Sequence, residues 1–152
     1  MREPYALKSI YCSLVRPILE YDSMVWNPIY SVHSARIEST QKKFLLYALR
    51  FLGWNDRCNL PSYSNRCLFI SIEELSRRRL NFDIFFIYDI LSGKIDSPHL
   101  LFLLRFHTSA RSLRDPPFFS PLLHRTAYGF YEPVNRLMVS FNNISHYFDF
   151  NI

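Results

Sequence analysis

Arg36, Lys43 and Arg50 recur every seven residues in the stretch RIESTQKKFLLYALRFLGWN, and Thr40 and Tyr47 fall in the same stripe. In a helix a seven-residue step drifts by only about 20°, so these side chains project from one side. Cations at that spacing, with a hydroxyl and a ring among them, suit a phosphate backbone. Guanidinium forks bind phosphate oxygens, and the ring offers stacking or sugar contact. Ile37, Phe44, Ala48 and Leu52 lie roughly a third of a turn away, towards the core. The same pattern also fits an ordinary solvated face, and pattern alone leaves both readings open.

Other constellations offer less. Asp89 follows Tyr88, a faint echo of the Tyr-x-Asp-Asp hairpin of polymerases. Such chemistry needs two neighbouring carboxylates holding divalent metals at a strand turn. A single aspartate inside a helical pattern reads instead as a hydrogen-bonded or surface residue. Cys58 and Cys67, taken with His99 or His107, lack the close ligand pairs of a zinc site, and read as structural thiols and surface histidines. Ser120 and His124 stand four apart without an orienting carboxylate or a nucleophile elbow. The glycines Gly53, Gly93 and Gly129 form no phosphate-cradling loop. Arg77, Arg78 and Arg79 are consecutive, so on a helix they point to three sides; they read as a solvated surface with Glu73 or Glu74 as local partners. No catalytic residue, metal site, cofactor or small-molecule substrate is expected.

The elements that would carry these residues are helices. Leu7, Tyr11, Leu14, Ile18, Tyr21 and Val25 alternate in steps of four and three, one helical face. Pro17 should end or kink the first helix near Arg16 and start a short second one. Asn27 before Pro28 breaks the helix again. Ser34 is positioned to cap the next helix, with Glu38 in its first turn and Gly53 as its stop after about Leu52. NDRCNLPSYSNRC reads as a loop. Ser71-Ile72-Glu73-Glu74 fits a capping box for a helix from Ile72 to Leu91, whose half FDIFFIYDIL is apolar nearly all round and belongs at the centre of the core. Ser97-Pro98 starts a short helix ending at Phe106. Beyond His107, prolines and a lost period predict irregular structure packed through Phe118, Phe119, Leu122 and Leu123, followed by a last amphipathic helix in VNRLMVSFNNISHYF.

Composition agrees with a helical domain. The chain has 152 residues, 49% of them hydrophobic, and its three glycines include no Asn-Gly or Asp-Gly hairpin turn. The expected class is mainly α: a small helical bundle over residues 1–104 with an irregular, proline-rich C-terminal extension over 105–152. The net charge is +5, and 14 of the 18 basic residues are arginine, the better partner for phosphate. Three cysteines without a C-x-x-C pair suggest a reduced, intracellular protein, nuclear or cytoplasmic, rather than a disulfide framework. No apolar run reaches the roughly 18 residues needed to span a bilayer, and MREPYALK lacks the apolar run of a signal peptide.

IYCSLVRPILEYDSMVWNP (Ile10 to Pro28) resembles the region after the catalytic palm in reverse transcriptases of non-LTR retrotransposons (LINE elements), with the jockey-like branch of insects closest in character. There a helix with Val-Arg-Pro and Glu-Tyr precedes a Trp and a turn. A leucine-rich helix with a Glu-x-x-Gln-x-x-Phe core follows, matched here by Glu38, Gln41 and Phe44. LPSYSNRCLFISIEELSRRR is similar to that family's Leu-Pro-x-Tyr, Arg-Cys and Leu-x-x-Leu-x-x-Arg-Arg stretch, departing from it at Ile72. ARSLRDPPFF and LHRTAYGFYEPVNRLMVSFN resemble its C-terminal end. The likeness runs over about residues 5 to 143.

This resemblance implies a thumb and its following extension, which hold the template–primer duplex after synthesis. It implies a truncated fragment without palm or endonuclease, and hence no polymerase activity in this chain. The partners implied are an RNA–DNA or DNA duplex and the missing palm region, with no membrane. By analogy Arg36, Lys43, Tyr47 and Arg50 would face the duplex, and Arg111, Arg114, His124, Arg125 and Tyr128 form a second group chosen by charge. The alternative expectation is a helical remnant or interaction module with no ligand of its own, prone to self-association through exposed apolar surface.

Overall fold

A computed structural model describes residues 4–28, 30–54, 60–108 and 117–145. The chain is mainly helical, the class expected, and among the described residues the only β pairing is an isolated antiparallel bridge between Phe106 and Phe119. The helices are α1 (Pro4–Ile10), α2 (Arg16–Glu20), α3 (Ser23–Trp26), α4 (Ser31–Phe51), α5 (Tyr63–Ile70), α6 (Leu75–Leu91), α7 (Pro98–Leu103), α8 (Ala127–Phe130) and α9 (Pro133–Ser145). Two compact units can be distinguished. One comprises Met1–Ser23 with Asn27–Arg79, and the other Met24–Trp26 with Leu80–Ile152. They divide inside α6, whereas the sequence pattern changes character near residue 104.

In the first unit a short helix, α2, starts at Arg16 with Pro17 in its first turn, close to the boundary the sequence predicts. A π-helical turn, Tyr11–Val15, joins α1 to α2, and the Arg16 N–H bonds to the Tyr11 carbonyl five residues back. The wider turn accommodates the proline ring and its missing N–H without interrupting the helical path. The extra residue also rotates the apolar face. Tyr11 is buried, but Leu14, Ile18, Tyr21 and Val25 are largely exposed, so the expected continuous core face does not form.

Helix α4 runs about 31 Å at 1.5 Å per residue. It starts at Ser31, one turn earlier than Ser34 predicts, and stops where Gly53 adopts φ 90°. Its buried residues are Glu38, Gln41, Leu45, Ala48 and Leu49. Of the four positions expected to face the core only Ala48 is buried outright. Ile37 and Phe44 are half-buried and Leu52 is exposed. Tyr11 stacks on Phe44, with ring centroids 4.1 Å apart, and packs with Leu45, Cys67 and Ile72.

The segment read as a loop contains α5. Ser62 caps it, its hydroxyl accepting from the Asn65 N–H at 3.3 Å. Ser71 is not the start of a capping box. It ends α5 in the left-handed conformation (φ 56°), while the Ile72 N–H reaches back to the Cys67 carbonyl at 2.9 Å. Helix α6 therefore begins at Leu75, three residues later than the sequence predicts.

In the second unit Ile87, Ile90, Leu104, Phe119, Leu137, Met138 and Phe141 form the core. The FDIFFIYDIL half of α6 contributes Ile87 and Ile90 but leaves Phe85 and Tyr88 exposed, so it lies at the edge of this core rather than being enclosed by it. Helix α7 ends at Leu103, and Phe106 lies in the β bridge instead of the helix. The irregular segment packs through Phe119, which is fully buried, and Phe118, but Leu122 is partly exposed and Leu123 is 96% exposed, against expectation. Its backbone is held by two asparagines seven residues apart on α9. Asn142 accepts from the Phe119 N–H at 2.9 Å and donates to the Phe119 carbonyl at 2.8 Å. Asn135 accepts from the Leu122 N–H at 2.7 Å and donates to the Leu122 and Phe130 carbonyls. Each amide satisfies backbone groups that the bridge to Phe106 leaves unpaired.

Candidate nucleic-acid interface

The surface of α4 follows from what its opposite side must bury. Glu38 and Gln41 point inward into a polar network. The Tyr11 hydroxyl donates to Gln41 Oε1 at 2.8 Å. Gln41 Nε2 donates to the Tyr63 hydroxyl at 3.0 Å and to the Glu73 carbonyl at 2.9 Å. The Tyr63 hydroxyl donates to Glu38 Oε2. Glu38 Oε1 accepts from the Ser76 N–H at 2.6 Å, so a carboxylate from α4 caps the first turn of α6. Arg79, 2% exposed, places Nη2 3.8 Å from Glu38 Oε1 and donates to Ser34 and Asn27.

This network shifts titrations in one direction. Burial, then the hydrogen bond to the Glu38 carboxylate, pushes the Tyr63 hydroxyl far above the usual phenol range. Burial chiefly does the same to Tyr11. The Cys67 thiol is also pushed up by burial, which keeps it protonated and unreactive. Cys67 therefore acts as a core residue here.

Because Glu38 turns inward, α4 presents no acidic side chain outside. Arg36, Thr40, Lys43, Tyr47 and Arg50 are all exposed along one stripe. The rise of the helix sets neighbouring cations about 10.5 Å apart, a row of about 21 Å from Arg36 to Arg50. Among the described residues no carboxylate lies within ion-pair distance of Arg36, Lys43 or Arg50. Several other arginines do have charged partners: Arg78 binds Glu20 through two contacts of 2.5 and 3.1 Å, Arg77 pairs with Glu73 at 3.5 Å, and Arg136 lies 3.4 Å from Asp83. Arg78 is raised further by its hydrogen bond to Glu20. The triple arginine thus does point three ways, but Arg79 is a buried structural cation rather than the solvated one expected. Arg50 also lies in the last turn of α4, where a cation complements the helix dipole. Lys42, which the sequence reading passed over, sits 5.0 Å from the Tyr63 ring centroid. Its signal was adjacency to Lys43.

The second group is less coherent. Arg111 and Arg114 lie outside the described residues. Arg125 and Tyr128 are exposed, the latter by 85%. His124 is half-buried: its ring lies against Gly129, and its Nε2 is shielded from solvent without a hydrogen-bond partner. The two groups belong to different units of the chain.

Neighbouring candidates have structural roles. Asp89 accepts from Lys94 at 3.0 Å. Among the described residues no group of three or more His, Cys, Asp or Glu could hold a metal ion, and no helix is long and apolar enough to cross a membrane. Comparison with protein-family models, with curated protein sequences and with solved structures returned no match.

Proposed function

We propose that the chain is a thumb-like, sequence-independent nucleic-acid-binding segment related to the reverse transcriptases of non-LTR retrotransposons, acting in the nucleus or cytoplasm. The observation that carries this reading is the unpaired row Arg36–Lys43–Arg50 with Tyr47 on an exposed helix whose one acid is turned inward. The ligand would be a template–primer duplex, either RNA–DNA or DNA. The cations contact phosphates and Tyr47 the sugar or a terminal base. Polymerisation would require a palm with metal-binding carboxylates, so this chain alone is assigned no catalysis.

The test is fluorescence anisotropy of a labelled primer–template duplex over a salt series. Binding should weaken steeply with salt. Changing Arg36, Lys43 and Arg50 together to Gln should flatten the log–log slope by about 2.7, three phosphates at about 0.9 each. Exposed sites change stability by roughly 0.5 kcal/mol or less, so the variant should remain folded. An unaltered slope rejects this site. A second reading, a remnant or interaction module without ligand, draws on the exposed Leu14, Ile18 and Tyr21; it expects no duplex binding at any salt concentration.

A further inference from the structure

A groove in the second unit carries an apolar floor and two unpaired charges. It encloses about 390 Å³ between the end of α7, the segment around Leu122 and the start of α9. Leu103, Leu122 and Met138 line it, and Phe102 stands at its edge with 86% of its surface exposed. Leu123, next to Leu122, is 96% exposed. Phe102 and Leu123 on a single copy leave considerable apolar surface in water.

Arg105 and Glu132 line the same groove and are both exposed. They do not pair with each other, and neither has an ion-pair partner within 4 Å among the described residues. A two-fold interface must be self-complementary: whatever one copy presents, the other copy receives. A groove that bears one cation, one anion, an apolar floor and a projecting ring meets that condition. Related by a two-fold axis, Arg105 of one copy can meet Glu132 of its partner twice over, while each Phe102 enters the opposite groove. A partner of one charge sign would leave one of the two charges facing its like.

We propose that this groove is the contact face of a homodimer, with Phe102 as its apolar anchor and Arg105 and Glu132 as its reciprocal ion pair. The proposal is independent of nucleic-acid binding. Sedimentation equilibrium on the full chain should show a monomer–dimer equilibrium at concentrations up to ~100 µM. Phe102→Asp should weaken it by at least ~100-fold, because each dimer holds two such rings. Circular dichroism should report an unchanged fold, since this ring is exposed. Arg105→Glu and Glu132→Arg should each weaken the dimer, and the charge-swapped double variant should restore it. A single monomeric species up to ~100 µM overturns the proposal, leaving the groove to another partner. So does association that Phe102→Asp leaves intact, or a double variant no better than either single one.

Discussion

Replacing Glu38 by alanine should destabilise the protein far more than replacing Glu74, although the sequence assigns the helix-capping role to Glu74. In the structure Glu38 is 7% exposed, accepts from the Ser76 N–H and the Tyr63 hydroxyl, and lies 3.8 Å from the Arg79 guanidinium. Removing it takes from Arg79, itself 2% exposed, the carboxylate 3.8 Å away, and leaves the first turn of α6 uncapped. Breaking a buried charge pair from one side costs about 3–5 kcal/mol, and a lost cap contributes about 1 kcal/mol within that figure. Against a total stability of roughly 5–15 kcal/mol for a domain of this size, that is about a fifth or more. Glu74 accepts one hydrogen bond, from Ser64 at 2.6 Å, in an exposed setting, so Glu74→Ala should cost about 1 kcal/mol or less. Urea unfolding followed by far-UV circular dichroism separates the two. With a slope of about 2 kcal/mol per molar, Glu38→Ala should move the midpoint by about 2 M and Glu74→Ala by about 0.5 M or less. Equal shifts, or a Glu38→Ala cost under about 1 kcal/mol, would refute the inward capping role.

Alkaline unfolding should report the buried phenols. Both tyrosines keep their protons in the folded state above the ordinary phenol value of 10.0, while the unfolded chain releases them. Stability is therefore fully present below about pH 10 and falls as pH rises beyond it. Tyr63→Phe should make that fall shallower; a decline of unchanged steepness in the phenylalanine variant would count against the assignment. Gly129→Ala would ordinarily favour a helix, but a Cβ there would approach His124 Nδ1 to 2.7 Å and Cγ to 2.8 Å. It should cost about 1–3 kcal/mol of stability in thermal denaturation, and Gly129→Ala combined with His124→Ala should recover part of that loss, the Cβ of residue 124 remaining at 3.0 Å.

Several elements were legible because they depend on local rules. Helix α4 ends where Gly53 permits φ 90°, α7 starts at Ser97-Pro98, and α9 shows its apolar stripe directly. The stripe of Arg36, Lys43, Tyr47 and Arg50 was legible for the same reason: spacing by seven fixes a shared side of any helix, and all four prove exposed. Helix α5 was missed because its eight residues are too few for a clear period and its signal is the single cap at Ser62. The expected capping box failed because Ser71 serves the preceding helix, and local sequence does not say which of two adjacent helices a serine terminates.

Helicity, basic character and the side of α4 that carries its cations follow from the sequence by itself, since propensity, composition and helical spacing involve residues within a few turns of one another. Only the tertiary structure decided which polar residues leave the surface. Glu38 and Gln41 look solvated along their own helix, yet their partners Tyr11, Tyr63, Ser76 and Arg79 come from other parts of the chain. Asn135 and Asn142 likewise read as a polar flank until Leu122 and Phe119 lie against them. A buried polar group is tolerated only where its hydrogen bonds are met, and distant segments supply those bonds. The turning inward of Glu38, which leaves the exposed face of α4 without an acidic side chain, was therefore decided by long-range packing.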